Sequence, residues 1–174
     1  MDSKYTSFST ERLILKPTTV EDAEFILKLH NSPLWLQFIG DRNTKTILDA
    51  KTYIETKMLP QLHELGYGNY TVIRKKDNAK IGTCGLFNRE GLEGIDIGFA
   101  FLPEFHNQGY AYESTKVIKE AALTKFNIKK LSAITMKENI SSQKLLEKLG
   151  LVYTKDILIP NDDDELMLYE LKHH

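Results

Sequence analysis

The segment Leu102-Pro103-Glu104-Phe105-His106-Asn107-Gln108-Gly109-Tyr110-Ala111 joins a strand-like apolar pattern to a helical one through a loop with small residues at Gly109 and Ala111. The first N–H groups of a helix have no partner inside it, and the helix dipole adds positive potential there. A phosphate can therefore dock at such a turn without a lysine. Gly109 lets the backbone approach closely, and Ala111 keeps a bulky side chain out of the way. A loop that merely opens a helix explains the segment equally well. A second junction adds weight: after Leu131 to Thr135 comes Lys137-Glu138-Asn139-Ile140-Ser141-Ser142, which places an amide and hydroxyls where the next helix opens. Asn and Ser are also the preferred helix caps, and capping and ligand binding can coexist.

Other reactive residue types carry less. Asp96 is a lone carboxylate in the apolar run Ile95 to Leu102. Cys84, in Gly82-Thr83-Cys84-Gly85, has no histidine nearby and reads as a buried strand thiol rather than a nucleophile. His30, His63 and His106 are far apart in sequence, so no metal-ligand spacing exists and surface histidines are the favoured reading. The phosphate-loop, dinucleotide, zinc-protease, serine-hydrolase and C-x-x-C signatures are all missing.

The elements that must position these residues follow from periodicity. Glu11 to Pro17 alternates as a strand. Thr18 or Thr19 caps a helix, with Glu21 and Asp22 closing a capping box, and Asn31-Ser32-Pro33 breaks it. Thr44 is expected to cap a second helix with Ile47, Ala50, Ile54 and Met58 on its inner face; Pro60 should kink or end it, and Gly66 closes the region. Asn69 to Lys75 and Ile81 to Phe87 form a hairpin about Asp77-Asn78, followed by a central strand, Ile95 to Leu102. A helix from Gly109 buries Ala111, Thr115, Ile118 and Ala122. Beyond the strand Leu131 to Thr135, the helix Asn139 to Leu149 buries Leu145, Leu146 and Leu149 and stops at Gly150. Two last strands, Leu151 to Lys155 and Leu166 to Leu171, flank the acidic turn Asp162 to Glu165. The order implies a mixed α/β sheet in one domain, 1–174.

Composition agrees. The 174 residues suit one core, with 41% hydrophobic and 27% charged residues. Lys+Arg 23 against Asp+Glu 24 leaves a net charge of -1, no field for a polyanion, so nucleic acid is not the expected partner. The start Met1-Asp2-Ser3-Lys4-Tyr5 lacks a signal-like apolar run, no stretch approaches the ~20 apolar residues of a membrane span, and one cysteine forms no internal disulfide; a soluble, cytoplasmic protein is expected. His173-His174 reads either as native or as the stub of a purification tag.

His106-Asn107-Gln108-Gly109-Tyr110-Ala111-Tyr112-Glu113 resembles the acyl-CoA pyrophosphate loop, Q/R-x-x-G-x-G/A, of the GNAT superfamily of N-acetyltransferases. Asn139-Ile140-Ser141-Ser142 and Leu146-Glu147-Lys148-Leu149-Gly150-Leu151 are similar to that family's later N-x-x-S and E-K-L-G-F segment. Thr10-Glu11-Arg12-Leu13-Ile14-Leu15 and Ile95-Asp96-Ile97-Gly98-Phe99 resemble the RimJ/RimL-type branch, which acetylates ribosomal-protein N-termini and other amines. The resemblance covers nearly the whole chain in the right order. Three positions depart from it: His106 replaces the usual Gln or Arg, Leu151 replaces a Phe, and Leu146 stands where many relatives carry a tyrosine general acid.

The resemblance implies a mostly antiparallel sheet flanked by helices, with acetyl-CoA in a splay between the strands ending at Leu102 and Thr135. Backbone groups of Phe99, Phe101 and Leu102 would pair with pantetheine as an added strand does. The amides of Asn107, Gln108, Gly109, Tyr110 and Ala111 would hold the pyrophosphate, and Asn139 and Ser142 would complete the cofactor site. An N–H near Phe99 would stabilise the oxyanion. The acceptor is an amine entering past the first two helices, with a protein or peptide N-terminus favoured over a small amine such as a polyamine, amino acid or aminoglycoside. An α-amine has a pKa near ~8, so it needs little help from a base. Asp96, at the position of a Glu that relatives use through water, is the candidate base, or else only accepts a hydrogen bond from a neighbouring strand or loop. Ser142 is the candidate acid for the thiolate, or else only a cap. A non-catalytic acyl-CoA-binding module is the competing class, and monomer and homodimer stay open.

Overall fold

The computed structural model describes residues 4–172. Met1, Asp2 and Ser3 of the expected leaderless start and the pair His173-His174 lie outside the described residues. The strands are β1 (Phe8–Ser9), β2 (Leu13–Pro17), β3 (Asn69–Arg74), β4 (Ala79–Phe87), β5 (Ile95–Phe101), β6 (Leu131–Thr135), β7 (Leu151–Ile157) and β8 (Leu166–Leu171). The helices are α1 (Ala23–His30), α2 (Pro33–Phe38), α3 (Ile47–Tyr53), α4 (Leu59–Leu65), α5 (Tyr110–Thr124) and α6 (Ile140–Lys148). All eight strands lie in one sheet of order β1-β2-β3-β4-β5-β6-β8-β7, antiparallel at every junction but one. This is the mixed α/β architecture the sequence predicts.

The exception positions the site. β5 and β6 run parallel and share only two rungs, Ile95↔Leu131 and Asp96↔Ser132. Beyond them β5 stays bonded to β4 as far as Phe101↔Gly82, and β6 to β8 as far as Thr135↔Met167. The two strands therefore splay apart, and a gap opens between them toward their C-terminal ends. Alternation along the strands divides the apolar side chains between two cores. On one face Leu13, Leu15, Tyr70, Val72, Ile97 and Leu131 pack against Ile118 of α5 and Leu146 of α6. On the other, Ala100 and Leu102 meet Phe25, Ile26 and Leu29 of α1 and Ile54. Each fully buried aliphatic side chain contributes about 1.5–3 kcal/mol.

Several local expectations change. Thr19, not Thr18, caps the first helical turn, reciprocated by Asp22. Thr46 rather than Thr44 caps α3, with Asp49 closing the box; Thr44 is instead buried and bonded to His30. Ile47 is consequently at the exposed first position of α3, 46% accessible, while Ala50 and Ile54 face the core. Pro33 breaks α1 but also opens α2, because its missing N–H is one that no helix start uses. Pro60 does not end its helix: a π turn over Ile54–Met58, in which Leu59 N–H donates to the Ile54 carbonyl, absorbs it and α4 continues to Gly66.

Candidate active site

Ile95 N–H donates across to the Lys130 carbonyl at 3.0 Å, so by alternation Phe99 and Phe101 direct their backbone N–H and C=O groups into the gap beyond the last rung. These two residues thus edge the gap that the resemblance would give to the pantetheine arm. Leu102 does not: its N–H donates to the Ile81 carbonyl and its own carbonyl accepts from Phe105, both at 3.0 Å, so it has no backbone group left for a ligand. One parity step turns it toward β4. The Phe101 carbonyl oxygen already has His106 Nε2 at 2.9 Å, which gives the non-consensus histidine a role in holding the loop.

The gap leads to the loop before α5. Asn107 and Gly109 both adopt left-handed backbone, φ 59° and 82°, and fold the chain so that successive amides share one side. Among the described residues, none of the N–H groups from Asn107 to Tyr112 finds a protein acceptor; the first committed one is Glu113 N–H, which donates to the Gly109 carbonyl at 3.0 Å. The predicted cradle residues Asn107, Gln108, Gly109, Tyr110 and Ala111 are thus brought together with their donors free. The Gln108 side chain donates to the Glu104 carbonyl at 3.1 Å and closes the loop from within.

Glu113 lies in the first turn of α5, and Arg12 stands just before β2. The structure ties them together. Arg12 Nε donates to Glu113 at 2.8 Å, its Nη1 donates to the Gln108 carbonyl at 2.9 Å, and its guanidinium lies 4.3 Å from the centre of the Tyr110 ring. Arg74, the last residue of β3, lies 4.9 Å from the Phe105 ring and forks onto Asp77, whose carboxyl it pulls down to about 2. Two guanidinium groups therefore brace the turn that carries the free amides, each with its charge matched by a carboxylate, Glu113 for Arg12 and Asp77 for Arg74.

At the second junction Asn139 caps α6: its Oδ1 accepts from Ser142 N–H at 3.2 Å, which leaves the amide Nδ2 unused. Ser142 is buried, and no hydrogen bond from its hydroxyl occurs among the described residues. Leu146, one turn later on the same face, is 1% exposed and part of the core, so this helix offers no phenol in the tyrosine's place.

Asp96 lies in the last rung before the gap and is 1% exposed. Burial pushes its carboxyl above the ordinary value, while Arg89, with Nε at 3.2 Å and Nη2 at 3.5 Å, pulls the other way. Arg89 follows β4 in the chain, and the expectation missed it. The usable signal was physical: a carboxylate in an apolar strand needs a cation, and Arg89 is the arginine in the connection just before that strand. Asp96 and Gly98 share the face covered by Phe87, whose ring lies so close to Gly98 that an added Cβ would sit 3.0 Å from it. Ser142, on the face of α6 that packs into the other core, is on the opposite side of the sheet, so the two candidate catalytic groups are not neighbours. Cys84 is buried, as predicted, and burial pushes its thiol upward. In the acidic turn, Asp163, Asp164 and Glu165 are exposed, and among the described residues only Glu165 of these three has a cation, Lys137 at 3.6 Å.

Comparison with known proteins fits this geometry. The chain is 23% identical over 143 residues to the uncharacterized N-acetyltransferase YnaD of Bacillus subtilis (strain 168), covering 82% of this chain and 81% of that one. It superposes on the crystal structure of an acetyltransferase from Agrobacterium tumefaciens str. C58 with a TM-score of 0.81 at 20% identity, covering 99% and 98% of the two chains. A ribosomal-protein-S5-alanine acetyltransferase from Vibrio fischeri gives 0.72 at 18% identity over 95% of each. The model of the acetyltransferase (GNAT) domain matches residues 12–152, from the arginine that braces the loop to the strand after the capped helix, and the chain belongs to the GNAT family of N-acetyltransferases.

Proposed function

We propose that the whole chain is one acetyl-CoA-dependent N-acetyltransferase domain of RimJ/RimL type, cytoplasmic, acting on a primary amine with a protein or peptide α-amine as the favoured acceptor. The observation that carries the reading is the run of free amides at Asn107 to Tyr112 at the end of a gap edged by the open backbone of Phe99 and the N–H of Phe101. A diphosphate fits the first feature and an extended amide-bearing arm the second. When bound, acetyl-CoA supplies a thioester carbonyl open to attack by a neutral amine.

The residues then divide the work. The amides of Asn107 to Ala111 hold the diphosphate, with Arg12 and Arg74 behind them. Phe99 and Phe101 bond the arm, and Asn139 Nδ2 adds a donor from α6. The Phe99 N–H bonds the carbonyl oxygen. Asp96, as carboxylate, takes the proton released by the amine, and its raised pKa brings it nearer to that task than an ordinary aspartate. The Ser142 hydroxyl is the nearest candidate on α6 for protonating the thiolate. Leu102 drops out of the set.

The α-amine is favoured because it is partly neutral at pH 7, whereas a lysine-like amine is almost wholly protonated. The test is calorimetric titration with CoA, followed by an assay of CoA release from acetyl-CoA over a panel of N-terminal peptides, amino acids, polyamines and aminoglycosides. Release that depends on an N-terminal peptide is expected. Tight CoA binding with no amine-dependent release would instead make the chain a binding module, and no heat on CoA addition would end the reading.

A further inference from the structure

A cavity of about 200 Å3 lies over β6, β8 and β7, on the sheet face away from α5 and α6, roofed by Gly91, Leu92 and Glu93 of the β4–β5 connection. Its floor includes Leu168 and Ser132. Ser132 is 1% exposed, and its hydroxyl has no hydrogen-bond partner among the described residues. A buried, unpaired hydroxyl is a cost that a chain usually removes with alanine, and here it persists between Leu131 and Ala133 in a buried strand.

Its position gives that cost a purpose. Ser132 is the rung partner of Asp96, in the last pair before β5 and β6 part. Paired residues of a parallel ladder point to the same face, so the hydroxyl and the carboxylate stand side by side at the apex of the gap, about one interstrand spacing of ~4.8 Å apart at the backbone. Asp96 is held from one side by Arg89 and no hydrogen bond joins it to Ser132. An amine nitrogen set between two such groups would have an acceptor on each side, and the cavity, which Ser132 lines and no residue of β5 does, approaches the pair from the end of β5 opposite the amide-lined loop.

We propose that Ser132 orients the acceptor nitrogen and that this cavity receives the acceptor's amine end; the inference rests on the acetyl-transfer reading above. The Ser132 oxygen accepts one N–H of the neutral amine while the Asp96 carboxylate accepts another, which leaves the nitrogen lone pair directed at the thioester carbon. The C–N bond forms and the C–S bond breaks. The proton lost by nitrogen goes to the Asp96 carboxylate, the thiolate takes one from Ser142 or solvent, and Ser132 keeps its own.

The probe is CoA whose sulfur carries a CH2–CO–NH–ethyl group, an analogue that puts an amide N–H where the incoming nitrogen would be and requires no knowledge of the natural acceptor. Calorimetry compares it with CoA on the wild type and on Ser132→Ala. The wild type is expected to bind the analogue at least about ten-fold tighter than CoA. Ser132→Ala should bind CoA within about two-fold of wild type, lose about ten-fold for the analogue, and melt no lower than wild type because an unpaired hydroxyl has gone. Unchanged analogue affinity in Ser132→Ala, equal losses for both ligands, or a wild type that binds the analogue no better than CoA would each overturn the assignment of Ser132 while leaving coenzyme binding intact. A wild type that binds neither ligand would overturn the acetyl-transfer reading itself.

Discussion

Asp96 is subject to two opposed influences, burial among apolar strands and the Arg89 guanidinium on its exposed flank, and burial is the larger. Only the ionised form can accept a proton. As pH falls, kcat/KM for the acceptor already declines through the amine's own pKa of ~8, and Asp96 should add a second, steeper acid limb whose midpoint lies above the ordinary aspartate value of 3.8. Asp96→Asn should remove that limb and lower kcat by on the order of 10²–10⁴-fold, the usual worth of a general base, with CoA affinity unchanged. A pH–rate profile of both proteins decides it. Asp96 was visible in the sequence as the one charge in an apolar alternation. Arg89 was visible only as the arginine of the connection before that strand, and Ser132 was not visible as the neighbour of Asp96, because pairing across a rung is set by register, which a single strand's pattern does not carry.

The loop before α5 and the helix itself form the element on which binding rests. Gly109 holds φ 82°, and a Cβ there would come within 3.2 Å of Arg12 Nη2, the guanidinium that braces the loop. Gly109→Ala is expected to cost about 1 kcal/mol of stability through the left-handed backbone and to weaken CoA binding by roughly ten-fold as the amides turn away. Urea titration and calorimetry on the same variant separate the two effects. This element was legible because small residues at a strand–helix junction are a local signal. The α1–α4 region was less so. Thr44 and Thr46 are equally good caps on paper, and the choice fell to Thr46 because the Thr44 side chain is used on His30, 14 positions away in the chain. Pro60 read as a kink or an end, and the sequence did not choose between them because the compensating π turn has no composition of its own. Leu102 entered the ligand set through the family resemblance, which marks the end of the strand but not which neighbour each backbone group serves.

At the scale of the molecule, the α1–α3 side carries a buried histidine that ties stability to pH. His30 is 2% exposed, stacked on Trp35 at 4.3 Å and edge-on to Tyr53, with Nδ1 at 2.9 Å from Thr44 Oγ1. Burial, with Arg42 adding to it, lowers its pKa from 6.5 to about 4. The unfolded chain then binds the proton first. Folding stability from this residue is complete above pH 6.5 and is lost as pH falls toward 4, by up to about 3 kcal/mol. Urea midpoints measured stepwise across that window should fall in the wild type, and the difference from His30→Asn, which cannot titrate, should carry the whole of this slope.

The sheet that joins the two cores is not one rigid plate. Five strands on one side and three on the other each keep a full ladder of their own, and only two rungs connect them. The rungs sit at one end, like the pivot of a pair of tongs. Widening the jaws beyond Asp96 and Ser132 therefore breaks no strand-to-strand bond, and the width of the cleft can follow whatever chain is laid in it.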